Sequence, residues 1–230
     1  MTRDPLHGSS WSNPETVAGF TQSPPNAVLM RYAAAELRRL GAGLLLDVGC
    51  GAARNASPLA ALGWRVLGLD LSWPMVQAAR DRARGEGLDD RLQVALAPME
   101  ALPVRGRTAD MIVAHGIWNL AASGAQFRQA VREAGRVARP GGALFVFTFS
   151  RNTLPPDAPP VQGESFVFTQ FSGQPQCFLT AAQLVAELAA AGFEPDTAVP
   201  ITEYNRPAPG SIRAGGPPVI YEAAFRYGSS

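Results

Sequence analysis

The chain has 230 residues, of which 47% are hydrophobic, and its 20 basic and 19 acidic residues leave a formal net charge of +1. That length and apolar content suffice for one folded domain with a sizeable core and exclude a disordered polypeptide. The balanced charge gives no footprint for nucleic acid or an anionic membrane, and the absence of lysine excludes Schiff-base chemistry.

Cysteine content and apolar runs indicate the compartment. Cys50 and Cys177 lie far apart and form no metal-binding pair, so both are expected to be reduced thiols, with no metal site. Residues 1–13 are polar and lack the apolar stretch of a signal peptide, and apolar runs such as 143–149 are too short to span a bilayer. These features predict a cytoplasmic protein without a membrane partner, as a monomer or homodimer.

Strands and helices alternate along the first two thirds of the chain. Residues 1–25 contain four prolines and are predicted to be irregular. Hydrophobic spacing and capping residues then predict, in chain order, a helix begun by Asn26, a strand at 44–48, a helix at 57–62, a strand at 64–70, a helix begun by Ser72, strands at 92–96 and 110–115, a helix at 127–138 and a strand at 143–149. This alternation is typical of an α/β fold with a parallel, doubly wound sheet.

The last third of the chain is less regular. Residues 151–179 are rich in Pro, Gly, Gln and Phe, and a loop of that length within a domain is usually functional. Thr180 and Gln183 form the sequence signature of a capping box, which predicts that a helix begins there. Residues 218–227 have the apolar pattern of a final strand.

A glycine-rich turn follows the first predicted strand. Gly49 and Gly51 allow a tight turn and the close approach of a ligand, and Asp70, at the end of the second strand, can accept hydrogen bonds from ribose hydroxyls. A turn of this kind with no ligand is the alternative. A dinucleotide-dependent oxidoreductase is disfavoured because Arg54 occupies the position of the third glycine in the usual dinucleotide fingerprint.

Four segments taken together resemble the class I S-adenosylmethionine-dependent methyltransferases over roughly residues 26–150. They are LLLDVGCGAARN at 44–55, GLDLS at 68–72, MEALPV at 99–104 and REAGRVARPGGALFVF at 132–147. The CG-x-x-RN variant is most similar to the tellurite-resistance and thiopurine-type members. The resemblance implies a Rossmann-like, doubly wound and mostly parallel seven-stranded sheet with helices on both faces. It also implies S-adenosylmethionine as cofactor and in-line methyl transfer to a small-molecule acceptor.

The same resemblance assigns the residues that bind the cofactor. They are Asp47, Gly49, Gly51, Asn55, Asp70, Leu71, Met99 and His115. By this assignment Asp70 holds the ribose hydroxyls with Leu71 against the adenine, Met99 offers its backbone amide to the adenine ring, and the two glycines line the methionine end with Asp47. His115 lies near the reactive methyl group.

His115 is the candidate catalytic residue. It ends the fourth predicted strand, where ligands bind in open α/β sheets, and it could act as a base if the acceptor must lose a proton. Packing within the loop is the alternative for His115. The neighbouring Trp118 and Asn119 either form the floor of the acceptor pocket or belong to the core.

One domain is expected, divided into an N-terminal arm (1–25), a cofactor-binding core (26–150) and an acceptor lid with C-terminal strands (151–230). The lid candidates are Phe166, Phe168, Phe171, Gln174, Gln176 and Phe178; Trp11, Phe20, Glu203, Tyr204 and Asn205 are further residues that could reach the ligands.

Two residues depart from the family pattern. Ala53 stands near a third glycine of many members, and Pro98 takes a position where many carry an aspartate that binds the adenine amino group. These departures leave open a non-catalytic S-adenosylmethionine-binding module. A macromolecular methyltransferase is a further alternative, but it should show a basic face, and no nucleic-acid partner is expected.

Overall fold

The computed structural model describes residues 4–206 and 216–228. Its α-helices are α1 (Pro14–Gln22), α2 (Ala27–Leu40), α3 (Ala56–Leu62), α4 (Trp73–Gly85), α5 (Gly124–Val137) and α6 (Ala181–Ala189). Its strands are β1 (Leu44–Val48), β2 (Arg65–Asp70), β3 (Leu92–Leu96), β4 (Ala109–His115), β5 (Ala138–Phe149), β6 (Val167–Phe168), β7 (Gln176–Cys177), β8 (Phe193–Pro195), β9 (Thr202–Tyr204) and β10 (Ile220–Tyr227). Short 3-10 helices span Ser10–Ser12, Trp118–Leu120 and Arg151–Thr153.

The main sheet has the order β3-β2-β1-β4-β5-β10, with β8 and β9 on the outer edge of β10. The first five of these strands are parallel, and β10 runs antiparallel to β5. The predicted Rossmann-like, doubly wound α/β class is therefore confirmed. The strand count differs, because β8 pairs with 225–227 and β9 with 220–222, so two short strands divide one edge position and the described sheet has eight strands.

Helices cover both faces of the sheet. One apolar layer contains Phe127 and Val131 of α5 with Leu184 of α6, and the other contains Leu29 of α2 and Val76 of α4. Strands β4 and β10 are buried along most of their length, as expected for strands that are covered on both faces. The carboxyl ends of the parallel strands remain open for a ligand site.

The N-terminal segment is more regular than predicted. Residues 14–22 form α1, whereas prolines led to the prediction of irregular chain over 1–25. Proline is well suited to the first turn of a helix because the amide it lacks has no partner there, and Pro14 occupies that position. The Asn13 side chain caps the helix by accepting a hydrogen bond from the Glu15 amide.

Most predicted helix starts are confirmed. Asn26 and Ser72 cap α2 and α4 through their side chains, and Thr180 and Gln183 form both hydrogen bonds of a capping box. The predicted break at 139–142 instead belongs to β5, where the register against β4 shifts.

Residues 4–206 and 216–228 contain neither a candidate membrane span nor a candidate metal site. No helix among them is long and apolar enough to cross a membrane. No group of three or more His, Cys, Asp or Glu side chains in the same residues is placed to hold a metal ion.

A partly buried cluster of ionic side chains links α2 to β10. Arg226 binds Glu36 through two hydrogen bonds of 2.7 and 2.9 Å and also donates to Asp196, which accepts a 2.9 Å hydrogen bond from Tyr32. Burial acts to raise the pKa values of the two carboxyls. Hydrogen bonds, including those from Arg226, outweigh burial and lower the pKa values of both Glu36 and Asp196.

Substitution of Arg226 by Met should destabilise the fold by about 2–3 kcal/mol, because it leaves the partly buried Asp196 without its cation and leaves Glu36 with Arg39 alone. Both carboxyls have lowered pKa values, so this stability is present above pH 4.5 and is lost as the pH falls through the lowered values. Urea unfolding at pH 7 and pH 3 would measure both effects. Arg84→Met is the control, since that side chain is 69% exposed in its pair with Asp81; an equal loss in both variants would contradict the prediction.

Candidate active site

A cavity of about 640 Å³ opens at the carboxyl ends of the parallel strands. Six of the eight predicted cofactor residues line it, namely Gly49, Gly51, Asp70, Leu71, Met99 and His115. Asp47 and Asn55 are buried beside the cavity and are not part of its lining.

The turn after β1 has a backbone that favours glycine. Gly49 and Gly51 have φ angles of 74° and 53°, and a Cβ atom on Gly49 would lie 2.7 Å from the Ile117 side chain. Ala53 also has a positive φ, 61°, at the position near which the sequence departs from the family pattern. The same left-handed turn is thus kept with an alanine, at a cost of about 1–2 kcal/mol in backbone strain.

Asp70 connects this turn to the end of β2. Its Oδ2 atom accepts a 2.8 Å hydrogen bond from the Gly51 amide and its Oδ1 atom accepts one of 2.8 Å from the Ser72 amide. Burial raises the pKa of Asp70, although these amide hydrogen bonds oppose the rise. An ionised carboxylate can accept about four hydrogen bonds, so both oxygens remain able to bind a diol in the cavity.

Asp47 has an unsatisfied oxygen. Its side chain is 1% exposed, and Oδ2 has no hydrogen-bond partner among the described residues. Burial, together with the charge of Asp70, raises the pKa of Asp47 to about 7, and the charge of Arg54 opposes the rise. A primary ammonium group, such as that of S-adenosylmethionine, would supply both the missing donor and a compensating charge.

Asn55 is engaged elsewhere. Its Oδ1 atom accepts a 3.0 Å hydrogen bond from the Asn26 amide, so it helps to fix the start of α2. A direct role of Asn55 in cofactor binding stays a prediction.

The His115 ring lies between two donors on the cavity wall. It stacks on Phe147 with ring centroids 4.3 Å apart, Nδ1 is 3.1 Å from Arg54 Nη2, and Nε2 is 3.3 Å from Asn26 Nδ2. Burial, with the positive charge of Arg54, lowers the pKa of His115 to about 3. The ring is therefore neutral at pH 7, and its surroundings oppose the proton uptake that a general base requires.

The N-terminal arm covers the cavity. Trp11 and Phe20 line it and contact each other edge to face, with ring centroids 5.9 Å apart. Asp4 accepts a 3.0 Å hydrogen bond from the Trp73 amide, and the Ser72 hydroxyl donates one of 3.1 Å to the Trp11 carbonyl. These contacts fix the arm to the first turn of α4, next to Asp70.

The segment predicted as an acceptor lid lies elsewhere. Among the described residues, none after Phe147 lines the cavity. The Phe178 ring lies 5.3 Å from that of Phe149 on β5 and 5.7 Å from that of Phe171, whereas the Phe166 ring packs on Phe127 of α5. Glu203 is likewise engaged, because Ser150 and Asn152 donate to its side chain.

Trp118 and Asn119 were expected either to form the floor of the acceptor pocket or to belong to the core, and their location decides between the two. Trp118 is 1% exposed and packs edge to face on Phe127, with ring centroids 6.1 Å apart. Neither Trp118 nor Asn119 lines the cavity, so the core interpretation is confirmed.

Several lining residues had not been predicted from sequence. The main ones are Arg54, Asn26, Phe147 and the pair Glu100 and Gln126, in which Gln126 Nε2 donates a 3.2 Å hydrogen bond to Glu100 Oε1. Arg54 could have been predicted as a site residue, because it is the one charged side chain in a turn of otherwise small residues. Sequence offered no comparable signal for Asn26, whose capping role explained it already.

Comparisons with known proteins agree with this geometry. Residues 46–146 match the family described as "Methyltransferase domain". Methyltransferase GfsG of Streptomyces halstedii is 33% identical over 64% of this chain and 51% of its own length. A ubiquinone biosynthesis O-methyltransferase of Methylocella silvestris is 35% identical over 60% of this chain and 50% of its own length. The chain thus spans about half the length of these relatives.

A solved structure shares the fold. It is the 1,6-didemethyltoxoflavin-N1-methyltransferase of Burkholderia thailandensis with bound 1,6-didemethyltoxoflavin and S-adenosylhomocysteine. Its TM-score is 0.63 at 21% identity, and the match covers 88% of this chain and 79% of the other. The family match and the strand order together show that residues 46–146 are similar to the methyltransferase domain family and that the chain shares the fold of S-adenosylmethionine-dependent methyltransferases of known structure.

Proposed function

We propose that this protein transfers a methyl group from S-adenosylmethionine to a small-molecule acceptor. One observation carries the proposal: a single cavity is lined both by Asp70, at the end of β2, and by His115 with Phe147, at or near the ends of β4 and β5. The small-molecule methyltransferases among the relatives and structural neighbours support the same class of acceptor.

The residues of the β1 turn and β2 bind the donor. Asp70 accepts hydrogen bonds from the ribose hydroxyls, the two glycines allow the backbone to approach the methionine portion, and Asp47 offers its unsatisfied oxygen to the α-ammonium group. Met99 and Leu71 pack against the adenine. When bound, S-adenosylmethionine supplies an electrophilic methyl group on a sulfonium.

The rest of the site aligns the acceptor and excludes water. Trp11 and Phe20 close the cavity from the N-terminal side, and the His115–Phe147 stack forms the wall where the acceptor lies. Alignment of the three reacting centres supplies much of the rate in a displacement of this kind. In this arrangement His115 contacts the acceptor as a neutral ring rather than as a base.

The alternatives are distinguishable. A non-catalytic module would bind S-adenosylmethionine without turnover of any acceptor. A macromolecular acceptor is disfavoured because the lining of the cavity is mostly apolar and residues of the N-terminal arm form part of it. Cys50 and Cys177 are both free and buried, in keeping with the proposed cytoplasmic location.

Substitution of Asp70 by Asn should weaken S-adenosylhomocysteine binding about 10–100-fold, as expected for lost hydrogen bonds to a charged group. The new amide would also face the Gly51 or Ser72 amide, donor against donor. Calorimetric titration of both proteins measures the effect. Asp81→Asn is the matched control because its carboxylate is 77% exposed, and equal affinities for wild type and Asp70→Asn would contradict the assignment.

The His115 ring should stay neutral between pH 5 and pH 8, because burial and the charge of Arg54 lower its pKa. The chain has two histidines, so imidazole ¹⁵N NMR of a His7→Asn variant reports His115 alone. Arg54→Leu should raise the pKa of His115 by removing the adjacent cation. If His115 titrates with a pKa near the ordinary value of 6.5 in the protein that keeps Arg54, His115 again becomes the candidate base.

A further inference from the structure

Arg54 brings a positive charge into the cavity. Its side chain is half-buried and lines the cavity, and its guanidinium forms no ion pair within 4 Å in residues 4–206 and 216–228. Its one hydrogen-bond contact there is with His115 Nδ1. Asp47 acts on Arg54 only as a charge at longer range. A half-buried guanidinium without a carboxylate partner has the chemistry of an anion-binding group.

Both nitrogens of the His115 ring face N–H donors. Neither Arg54 Nη2 nor Asn26 Nδ2 can accept a hydrogen bond. The orientation of the Asn26 side-chain amide is fixed, because its Oδ1 accepts a hydrogen bond from the Leu29 amide and its Nδ2 donates one of 2.5 Å to Glu222. A neutral imidazole carries one N–H, so in either tautomer one ring N–H faces another donor. With the proton on Nδ1, the ring N–H and the Arg54 guanidinium face each other across 3.1 Å, and an anionic oxygen beside them could accept a hydrogen bond from both.

The position of these donors in the sheet indicates which ligand supplies that oxygen. Asp70 ends β2 and Met99 follows β3, on one side of β1, whereas His115 ends β4 and Phe147 lies near the end of β5 on the other side. Arg54 extends from the β1 turn toward this second side, where its guanidinium meets His115. An anion bound there lies on the acceptor side of the cavity.

We propose that the methyl acceptor is a carboxylic acid bound as its carboxylate, with one oxygen held by Arg54 and His115 and the other free to react. This proposal rests on the proposed methyltransferase function. The free oxygen forms a bond to the methyl carbon as the methyl–sulfur bond breaks, and that electron pair stays on sulfur. The products are a methyl ester and S-adenosylhomocysteine. The negative charge of the acid and the positive charge of the sulfonium are both removed, and no proton moves.

The balance of charge explains why a site without a base suffices. A carboxylate is already ionised at neutral pH, so its reaction does not require His115 to accept a proton. Phe147 stacks on His115 at this wall, and the lining of the cavity as a whole is mostly apolar. The acid should therefore carry an aromatic or other apolar body.

Calorimetry on protein saturated with S-adenosylhomocysteine tests the proposal. The probes are benzoate, phenylacetate and cinnamate, each beside its uncharged amide, and the proteins are wild type, Arg54→Leu, Arg54→Lys and the exposed control Arg84→Leu. Wild type and Arg84→Leu should bind at least one carboxylate about tenfold or more tightly than its amide. Arg54→Leu should lose this preference, and Arg54→Lys should recover part of it because the charge is kept without the planar fork.

The same titrations separate the possible failures. Binding of S-adenosylhomocysteine to wild type without a preference for any carboxylate would overturn the acceptor proposal alone, and no binding of S-adenosylhomocysteine would overturn the proposed function as well. A tenfold loss of S-adenosylhomocysteine affinity in Arg54→Leu, with unchanged affinity for 5′-methylthioadenosine, would assign Arg54 to the cofactor's own carboxylate and overturn the proposal. Thermal unfolding of each variant verifies that it is folded. If Arg54→Leu does not fold, the carboxylate preference of Arg54→Lys is compared with that of wild type instead.

Discussion

The geometry of the whole site depends on the hydrogen bonds that tie the turn after β1 to the end of β2. The Gly49 and Cys50 amides both donate to the Leu69 carbonyl, at 2.7 and 3.0 Å, and the Gly51 amide donates to Asp70. These bonds require left-handed backbone at Gly49 and Gly51, which glycine adopts without strain. The position of the Asp70 carboxylate in the cavity and the docking of the N-terminal arm beside Ser72 both follow from this connection.

The parts of the molecule that could be predicted from sequence are those that depend on local spacing. The order of strands and helices, the caps at Asn26 and Ser72 and the glycine turn are encoded within short segments, where periodicity and residue type decide the structure. The α1 helix was missed because Pro14 was interpreted as a breaker, although the same residue is favourable at the first turn of a helix. Proline by itself does not distinguish these two positions.

What sequence could not predict is which segments meet across the sheet. The Phe-rich loop has the composition of a lid, yet its rings pack against Phe149 and line no part of the cavity. Trp11 and Phe20, which were expected to reach the ligands from the N-terminal side, do line it. Likewise, Arg54, Asn26 and His115 are 28 to 89 residues apart, and no local pattern links them. Long-range contacts of this kind decide the charge around His115. The position of His115 at the end of a strand predicts that it faces the ligand site, but it carries no information about the Arg54 and Asn26 donors that surround the ring.

Charge is distributed unequally across the cavity, and this distribution orients both ligands. On the proposed donor side Asp70 lines the cavity and Asp47 is buried beside it, whereas the proposed acceptor side has the Arg54 guanidinium and the neutral His115 ring. A sulfonium donor is attracted to the first side, and an anionic acceptor to the second. Because opposite charges then approach each other along the line of reaction and both disappear in the product, the neutralised products interact less strongly with the site than the reactants do. That difference favours product release without any group in the cavity having to change its protonation state.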